Sequence, residues 1–170
     1  MELKVGVLTI SDRSAAGERE DMSGPALSRA VKEAGWSVSQ TAIVPDDFQR
    51  ISDILTAWSE DGACSVILTT GGTGLSPRDI TPEATRAVIE RDAPGLAEAM
   101  RAGSLKITPH AMLSRAVVGI RKKTLIVNLP GSPKGALENF RIVAPVFVHA
   151  VQLLEGDQAA EDGHIPSRAV

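Results

Sequence analysis

Three short runs in this chain are apolar almost without interruption: Leu3 to Ile10 (LKVGVLTI), Ser65 to Thr70 (SVILTT) and Thr124 to Leu129 (TLIVNL). A strand with one face in water alternates apolar and polar residues, so continuous runs rich in β-branched types belong to strands covered on both faces. Ser37 to Val44 reads as a fourth, more weakly patterned strand. Between the runs lie apolar stripes at spacings of three and four, Ala26, Leu27, Ala30, Val31 and Ala34, then Ile51, Ile54, Leu55 and Trp58, the signature of helices that bury one face. A third helix is expected to begin at Thr81-Pro82-Glu83, where threonine can cap, proline suits the first turn and glutamate favours the positive end. Pro94 to Gly103 can hold a short helix, Pro109 precedes another at Ala111 to Ala116, and a last one is expected over Ala136 to Leu154, bent near Pro145, because proline removes a backbone donor. Strands alternating with helices imply an α/β fold, a three-layer α/β/α sandwich with a mostly parallel central sheet.

A chain of 170 residues is long enough for one domain with a substantial core. The domain is expected over residues 1–156, with a flexible C-terminal tail over 157–170, where the sequence turns polar and loses its pattern. The formal charge of -3, without any long run of one sign, gives no support for a polyanion-binding surface. Aromatic residues make up 3 % of the chain and tyrosine is absent, so the stacking platforms of single-strand nucleic-acid binders are missing. No nucleic-acid partner is expected. Cys64 stands alone, which excludes an intrachain disulfide and a multi-thiolate metal site. It reads as a small buried hydrophobe. The N-terminus carries Glu2 and reaches Asp12 before a signal peptide could be complete, and no apolar run approaches the roughly 18 to 20 residues needed to cross a bilayer. A cytoplasmic protein without membrane contact is the expectation.

The four strands run directly into polar loops: Ser11-Asp12-Arg13, Pro45-Asp46-Asp47, Gly71-Gly72-Thr73-Gly74, and Pro130-Gly131-Ser132-Pro133-Lys134-Gly135. In an open parallel sheet these loops share the carboxyl edge, where ligands bind. The glycines after Thr70 permit close backbone approach, and the amides and hydroxyls of residues 70–74 can donate to phosphate; the alternative is an ordinary tight turn. Neither a lysine-containing phosphate loop nor a G-x-G-x-x-G fingerprint is present. Arg78 can orient phosphate oxygens and Asp79 can hold magnesium, or the two can form an ion pair or a cap. Asp47 is placed to cap the following helix, which leaves Asp46 free as a second metal anchor. Two carboxylates with magnesium suit phosphoryl or nucleotidyl transfer. Ser132 and Lys134 can clamp a phosphate or simply shape a turn, and Ser114-Arg115 offers a further anion contact or an exposed helix end. The loop from Ser11 and Asp12 through Asp21, Ser23 and Gly24 can surround a base or ribose, or cap the next helix. His110, His149 and His164 form no ligand pattern.

Taken together, these segments resemble the molybdopterin adenylyltransferase family, which includes MogA-type bacterial enzymes and the G domain of gephyrin. The resemblance rests on GVLTISDR at Gly6 to Arg13, D-x-S-G at Asp21 to Gly24, VPDD at Val44 to Asp47 and LTTGGTGLSPRDITPEAT at Leu68 to Thr85, continued by APGLAEAMRAGSL at Ala93 to Leu105 and MLSRAVVGIRKKTLIVNLPGSPKG at Met112 to Gly135. It implies a MoaB/Mog-like domain of molybdenum cofactor biosynthesis that forms homotrimers. The implied reaction transfers AMP from magnesium ATP to the terminal phosphate of molybdopterin, with release of pyrophosphate. Asp46 and Asp79 match the family's metal-associated catalytic aspartates. Ser11, Asp12, Thr70, Gly71, Gly72, Thr73, Gly74, Arg78, Ser114, Arg115, Pro130, Gly131, Ser132 and Lys134 fall in segments expected to hold the nucleotide or the pterin. Ile120-Arg121-Lys122-Lys123 departs from a commoner arginine-glycine-lysine arrangement. The molybdenum-inserting domain fused in gephyrin-like proteins is not found in this sequence, so insertion would need a separate partner. The alternatives are a MoaB-like paralogue with a different role and a pterin-binding scaffold without catalysis.

Overall fold

The computed structural model describes residues 1–157 and 160, so the expected tail lies almost wholly outside the described residues. The core is one six-stranded sheet. Its strands are β1 (Lys4–Ile10), β2 (Ser37–Val44), β3 (Val66–Thr70), β4 (Arg91–Asp92), β5 (Val118–Arg121) and β6 (Thr124–Leu129), in the order β2-β1-β3-β6-β5-β4. The four strands expected from the sequence are the four mutually parallel ones; β5 and β4 extend the sheet, β5 antiparallel to β6 and β4 antiparallel to β5.

Parity along the strands decides which face each side chain serves. Val5 and Val7 of β1, Val66 and Leu68 of β3, and Leu125, Val127 and Leu129 of β6 enter one core. Leu8 and Ile10, Ile67, and Ile126 enter the other. The first face is covered by α2 (Ser23–Glu33), α5 (Pro94–Leu105), α6 (Pro133–Val143) and α7 (Phe147–Glu155), which contribute Leu27, Val31, Met100, Phe140, Phe147 and Val151. The second is covered by α3 (Phe48–Glu60) and α4 (Thr81–Val88), through Ile51, Leu55, Ala84 and Val88; α1 (Asp12–Ala15) is a single turn after β1. This is the three-layer α/β/α sandwich. Each fully buried Leu, Ile or Val contributes on the order of 1.5–3 kcal/mol, which is why runs lacking polar interruptions become the central strands.

Three local expectations are corrected, and the bend expected near Pro145 is found. The helix expected at Ala111 to Ala116 is a 3-10 turn over Pro109–Leu113, capped by the Thr108 hydroxyl, which accepts from the His110 N–H at 3.3 Å. The C-terminal helix is broken by a 3-10 turn at Ala144–Val146 into α6 and α7, as Pro145 requires. As a single run, Pro133–Glu155 has the length and apolar composition of a membrane span, contrary to expectation, but Phe140, Val143, Phe147 and Val151 pack it onto the sheet. Thr81 does not cap α4. Ile80 occupies that position, and the Thr81 hydroxyl donates instead to the Gly71 carbonyl at 2.9 Å.

Within β6, buried Asn128 joins three elements. Its amide donates to the hydroxyls of Thr69 (3.0 Å) and Thr85 (2.9 Å), and its carbonyl accepts from the Val117 N–H at 3.2 Å. With both amide protons and one lone pair used, a polar residue is held inside the core without an unsatisfied donor.

Candidate active site

The carboxyl ends of β1, β2, β3 and β6 bring their loops into contact at one edge of the sheet. The closest approach is between the turns after β1 and β3. A Cβ on Gly71 would lie 2.1 Å from the Ile10 carbonyl oxygen, and a Cβ on Gly131 would lie 3.1 Å from the Gly71 Cα. Gly71 (φ 107°) and Gly72 (φ 65°) both adopt backbone conformations that favour glycine. The turn is fixed by the Gly71 N–H donating to Leu129 O at 3.2 Å, the Thr81 N–H donating to Gly72 O at 3.1 Å, and the Thr70 hydroxyl donating to Pro130 O at 2.7 Å.

Two clefts open here. The first, about 390 Å³, is lined by Ser11, Asp46, Thr70, Gly71, Gly72, Asp79, Gly131 and Ser132, all named from the sequence, together with Thr9, Ser14, Arg19, Asp21 and Ser23. The second, about 290 Å³, is lined by Thr73, Gly74, Ser114, Pro130 and again Ser132, with Arg101, Ser104, Thr108, His110, Leu113, Glu138 and Asn139 facing them. Ser132 belongs to both. Its hydroxyl caps α6 by accepting from the Gly135 N–H at 3.1 Å, so the positive end of an eleven-residue helix stands at the junction.

Asp47 caps α3, accepting from the Arg50 N–H at 2.8 Å, and Asp46 turns into the first cleft. Asp46 and Asp12 brace each other: the Asp46 carboxylate accepts from the Asp12 N–H (3.1 Å), and the Asp12 carboxylate accepts from the Asp46 N–H (2.9 Å). Burial pushes the Asp46 carboxyl above its ordinary pKa. The Asp12 N–H pulls it down, the charges of Asp12 and Asp79 raise it, and the charge of Arg78 lowers it. Asp79 accepts from the Ser76 N–H at 2.9 Å through one oxygen. The glycine turn cradles both acids: a Cβ on Gly72 would stand 2.9 Å from an Asp46 oxygen, and one on Gly74 would stand 2.8 Å from an Asp79 oxygen.

The other predicted residues divide by where their polar atoms go. Arg78 makes a forked ion pair with Asp12, at 2.9 and 2.8 Å, whose hydrogen bonding holds the Asp12 carboxyl below its ordinary pKa. Neither lines either cleft. Arg115 is spent on the loop that carries Asp79, donating to the Gly74 and Asp79 carbonyls and pairing with Glu83. Lys134 is exposed, 3.9 Å from Glu138. Asp21, offered by the sequence only as part of a loop that could surround a base or ribose or cap the next helix, serves both places: it lines the first cleft, accepts from the Thr9 hydroxyl at 2.6 Å, and receives the Ser23 and Gly24 N–H groups at the start of α2. Arg19, His110 and Asn139 lie outside the motif segments, and Arg101 lies within APGLAEAMRAGSL without a role assigned to it. Cys64 is buried at 3 % exposure, and burial raises its thiol pKa, which fits a packing role.

Among the described residues, no group of three or more His, Cys, Asp and Glu is arranged to hold a metal ion. Asp46 and Asp79 nevertheless fit magnesium, which prefers one or two carboxylates completed by substrate phosphates and water.

A family model described as "Probable molybdopterin binding domain" matches residues 6–149. The chain belongs to this family. Relatives resemble it over most of its length: the molybdopterin adenylyltransferase of Helicobacter pylori strain J99 is 41 % identical over 157 residues, covering 91 % of this chain and 89 % of that protein. Gephyrin of Dictyostelium discoideum is 45 % identical over 160 residues, 88 % of this chain, which spans only 22 % of gephyrin's length. Among solved structures, the molybdopterin biosynthesis enzyme MoaB of Thermus thermophilus has a TM-score of 0.85 at 47 % identity, covering 91 % of this chain and 97 % of that one. The Mog protein of Mycobacterium ulcerans has a TM-score of 0.84 at 36 % identity, with 92 % and 99 % covered. The molybdopterin-binding fold therefore extends over nearly the whole described chain.

Proposed function

We propose that the chain is a molybdopterin adenylyltransferase, which transfers AMP from ATP to the terminal phosphate of molybdopterin and releases pyrophosphate. The observation that carries this reading is the pairing of Asp46 with Asp79 in one cleft and the sharing of Ser132 with a second cleft beside it. The first cleft holds three acids, Asp21, Asp46 and Asp79, against one base, Arg19. Such a cleft repels a bare triphosphate, and Asp46 and Asp79 are suited to hold the magnesium that would accompany it. When bound, the ion supplies neutralisation of phosphate charge. The hydroxyls of Ser11 and Ser132, which only accept in their capping bonds, and the Gly72 amide of the glycine turn can donate to the phosphates.

The second cleft joins apolar surface from Ala111, Leu113 and Pro130 to polar groups on Arg101, His110 and Asn139, a mixture suited to a flat, hydrogen-bonding heterocycle. A pterin seated there would direct its phosphate to Ser132 and the α6 N-terminus, against the nucleotide in the first cleft. One phosphate oxygen of the pterin then attacks the α-phosphorus; the new O–P bond forms as the bond to pyrophosphate breaks, and no covalent enzyme intermediate is needed. Residues 1–156 are taken as the catalytic domain. A cytoplasmic homotrimer that passes its product to a separate molybdenum-inserting protein completes the proposal.

The alternative reading is a MoaB-like paralogue or scaffold that binds pterin without transferring AMP. Incubation of the purified chain with molybdopterin and magnesium ATP separates the two. Pyrophosphate release that depends on molybdopterin supports the transferase, whereas tight pterin binding without pyrophosphate supports the paralogue or a scaffold.

A further inference from the structure

Arg115 stands between the two clefts without lining either. Its backbone N–H donates to Thr73 O at 2.9 Å. Its guanidinium donates to Gly74 O at 2.7 Å and to Asp79 O at 2.6 Å, and pairs with Glu83 in the first turn of α4. The two carbonyls bracket the exposed segment 75–78, whose remaining internal bonds are the Ser76 N–H to Asp79 carboxylate, the Arg78 N–H to Ser76 hydroxyl, and the Asp79 N–H to Ser76 carbonyl. These bonds fix the loop's shape; those of Arg115 anchor its two ends, and the Arg78 fork on Asp12 ties its middle to the turn after β1. The preceding residue, Ser114, lines the second cleft, and its carbonyl accepts from Arg101 at 3.4 Å.

We infer that Arg115 is a positioning residue that sets where the Asp79 carboxylate stands, and that it links the Ser114 side of the second cleft to the metal-binding side of the first. A planar fork with five donors spread over three nitrogens can serve two carbonyls and a carboxylate at once; the three donors of lysine share one nitrogen and lack that spread. Residues that orient a metal ligand without touching the metal change its affinity by about 10- to 100-fold when removed. The metal arm of this inference rests on the proposed function, whereas the loop arm rests on geometry alone.

The test compares wild type with Arg115→Met, Arg115→Lys and Glu83→Gln, the last of which leaves both carbonyl contacts in place. Hydrogen exchange of the 74–80 amides reads the loop directly. Mn2+ binding in the presence of a non-hydrolysable ATP analogue, followed by the loss of free-ion electron spin resonance signal, reads the carboxylates without catalysis. Arg115→Met is expected to speed exchange in 74–80 and to weaken Mn2+ binding on the order of tenfold. Arg115→Lys should recover only part of this loss, and Glu83→Gln should lie between wild type and Arg115→Met. Should Arg115→Met fail to fold, the Lys and Gln variants carry the same ordering. Unchanged exchange and Mn2+ affinity, with a loss of pterin binding, would make Arg115 a ligand contact and overturn the inference. If wild type transfers no AMP, the proposed function fails while the exchange comparison still decides the role of Arg115.

Discussion

Asp46 and Asp47 are chemically identical neighbours with different tasks. Asp47 satisfies the first turn of α3, and Asp46 is held in the cleft by Asp12 and raised in pKa chiefly by burial. A carboxyl whose pKa is raised on folding opposes folding when ionised: the cost is absent below the ordinary carboxylate pKa and complete above the raised one. Asp46→Asn, whose amide oxygen can still accept from Asp12, should therefore raise the melting temperature at neutral pH, with the difference closing as the pH falls below the ordinary carboxylate range; thermal melts across a range of pH from neutral to acid would show it. A lower melting temperature at neutral pH would contradict the assignment of desolvation as the dominant cause. Gly72 poses the opposite case, because a Cβ there would meet the Thr81 hydroxyl at 2.3 Å and an Asp46 oxygen at 2.9 Å, at φ 65°. Gly72→Ala should cost about 1–3 kcal/mol in denaturant titration and displace the Asp46 carboxylate.

At the scale of elements, the β5–β6 hairpin holds the one described non-glycine residue with positive φ, Lys122 at 52°. Its backbone N–H donates to Glu90 at 3.1 Å, a bond that needs no side chain, and the exposed ion pair to the same acid adds little. Lys122→Gly should raise stability by up to about 1 kcal/mol, the relief of left-handed strain less the added freedom of the unfolded chain. Urea titration measures it, and a destabilised variant would show that the side chain matters more than the turn. The sequence marked this position only as a departure from a commoner glycine-containing arrangement. It did not reveal β5 or β4, because Val118–Arg121 and Arg91–Asp92 are four and two residues long and become strands only by pairing outward from the edge that β6 offers. The parallel strands were legible because burial on both faces leaves a continuous apolar run. The first cleft was legible for the same reason: polar residues directly after such strands must meet at the carboxyl edge. The second was legible only on the side of Thr73, Gly74, Ser114, Pro130 and Ser132; its facing wall was not, since Arg101, His110 and Asn139 come from helices and a 3-10 turn whose facing depends on tertiary packing. The use of Arg115 is likewise invisible locally, its partners lying 32 to 41 residues away in sequence.

For the whole molecule, the sandwich places two clefts of different character side by side, one acidic and one mixed, with a helix N-terminus between them. The corner from α5 to the 3-10 turn exposes Leu105, Ile107, Met112 and Leu113, more apolar surface than water favours on such a short stretch. Sedimentation equilibrium is expected to give three times the 17.9 kDa chain mass, and a monomer at micromolar concentration would remove the trimer from the account. Under the proposed function, Asp46 and Asp79 act together in AMP transfer to molybdopterin. The most direct test of this joint role measures adenylylated pterin formed by wild type, Asp46→Ala and Asp79→Ala with magnesium ATP, each variant checked for folding by circular dichroism. Wild-type product falling on the order of a hundredfold or more in either folded variant is the predicted result. Product formed at the wild-type rate by either variant, or no product from the wild type, would contradict it.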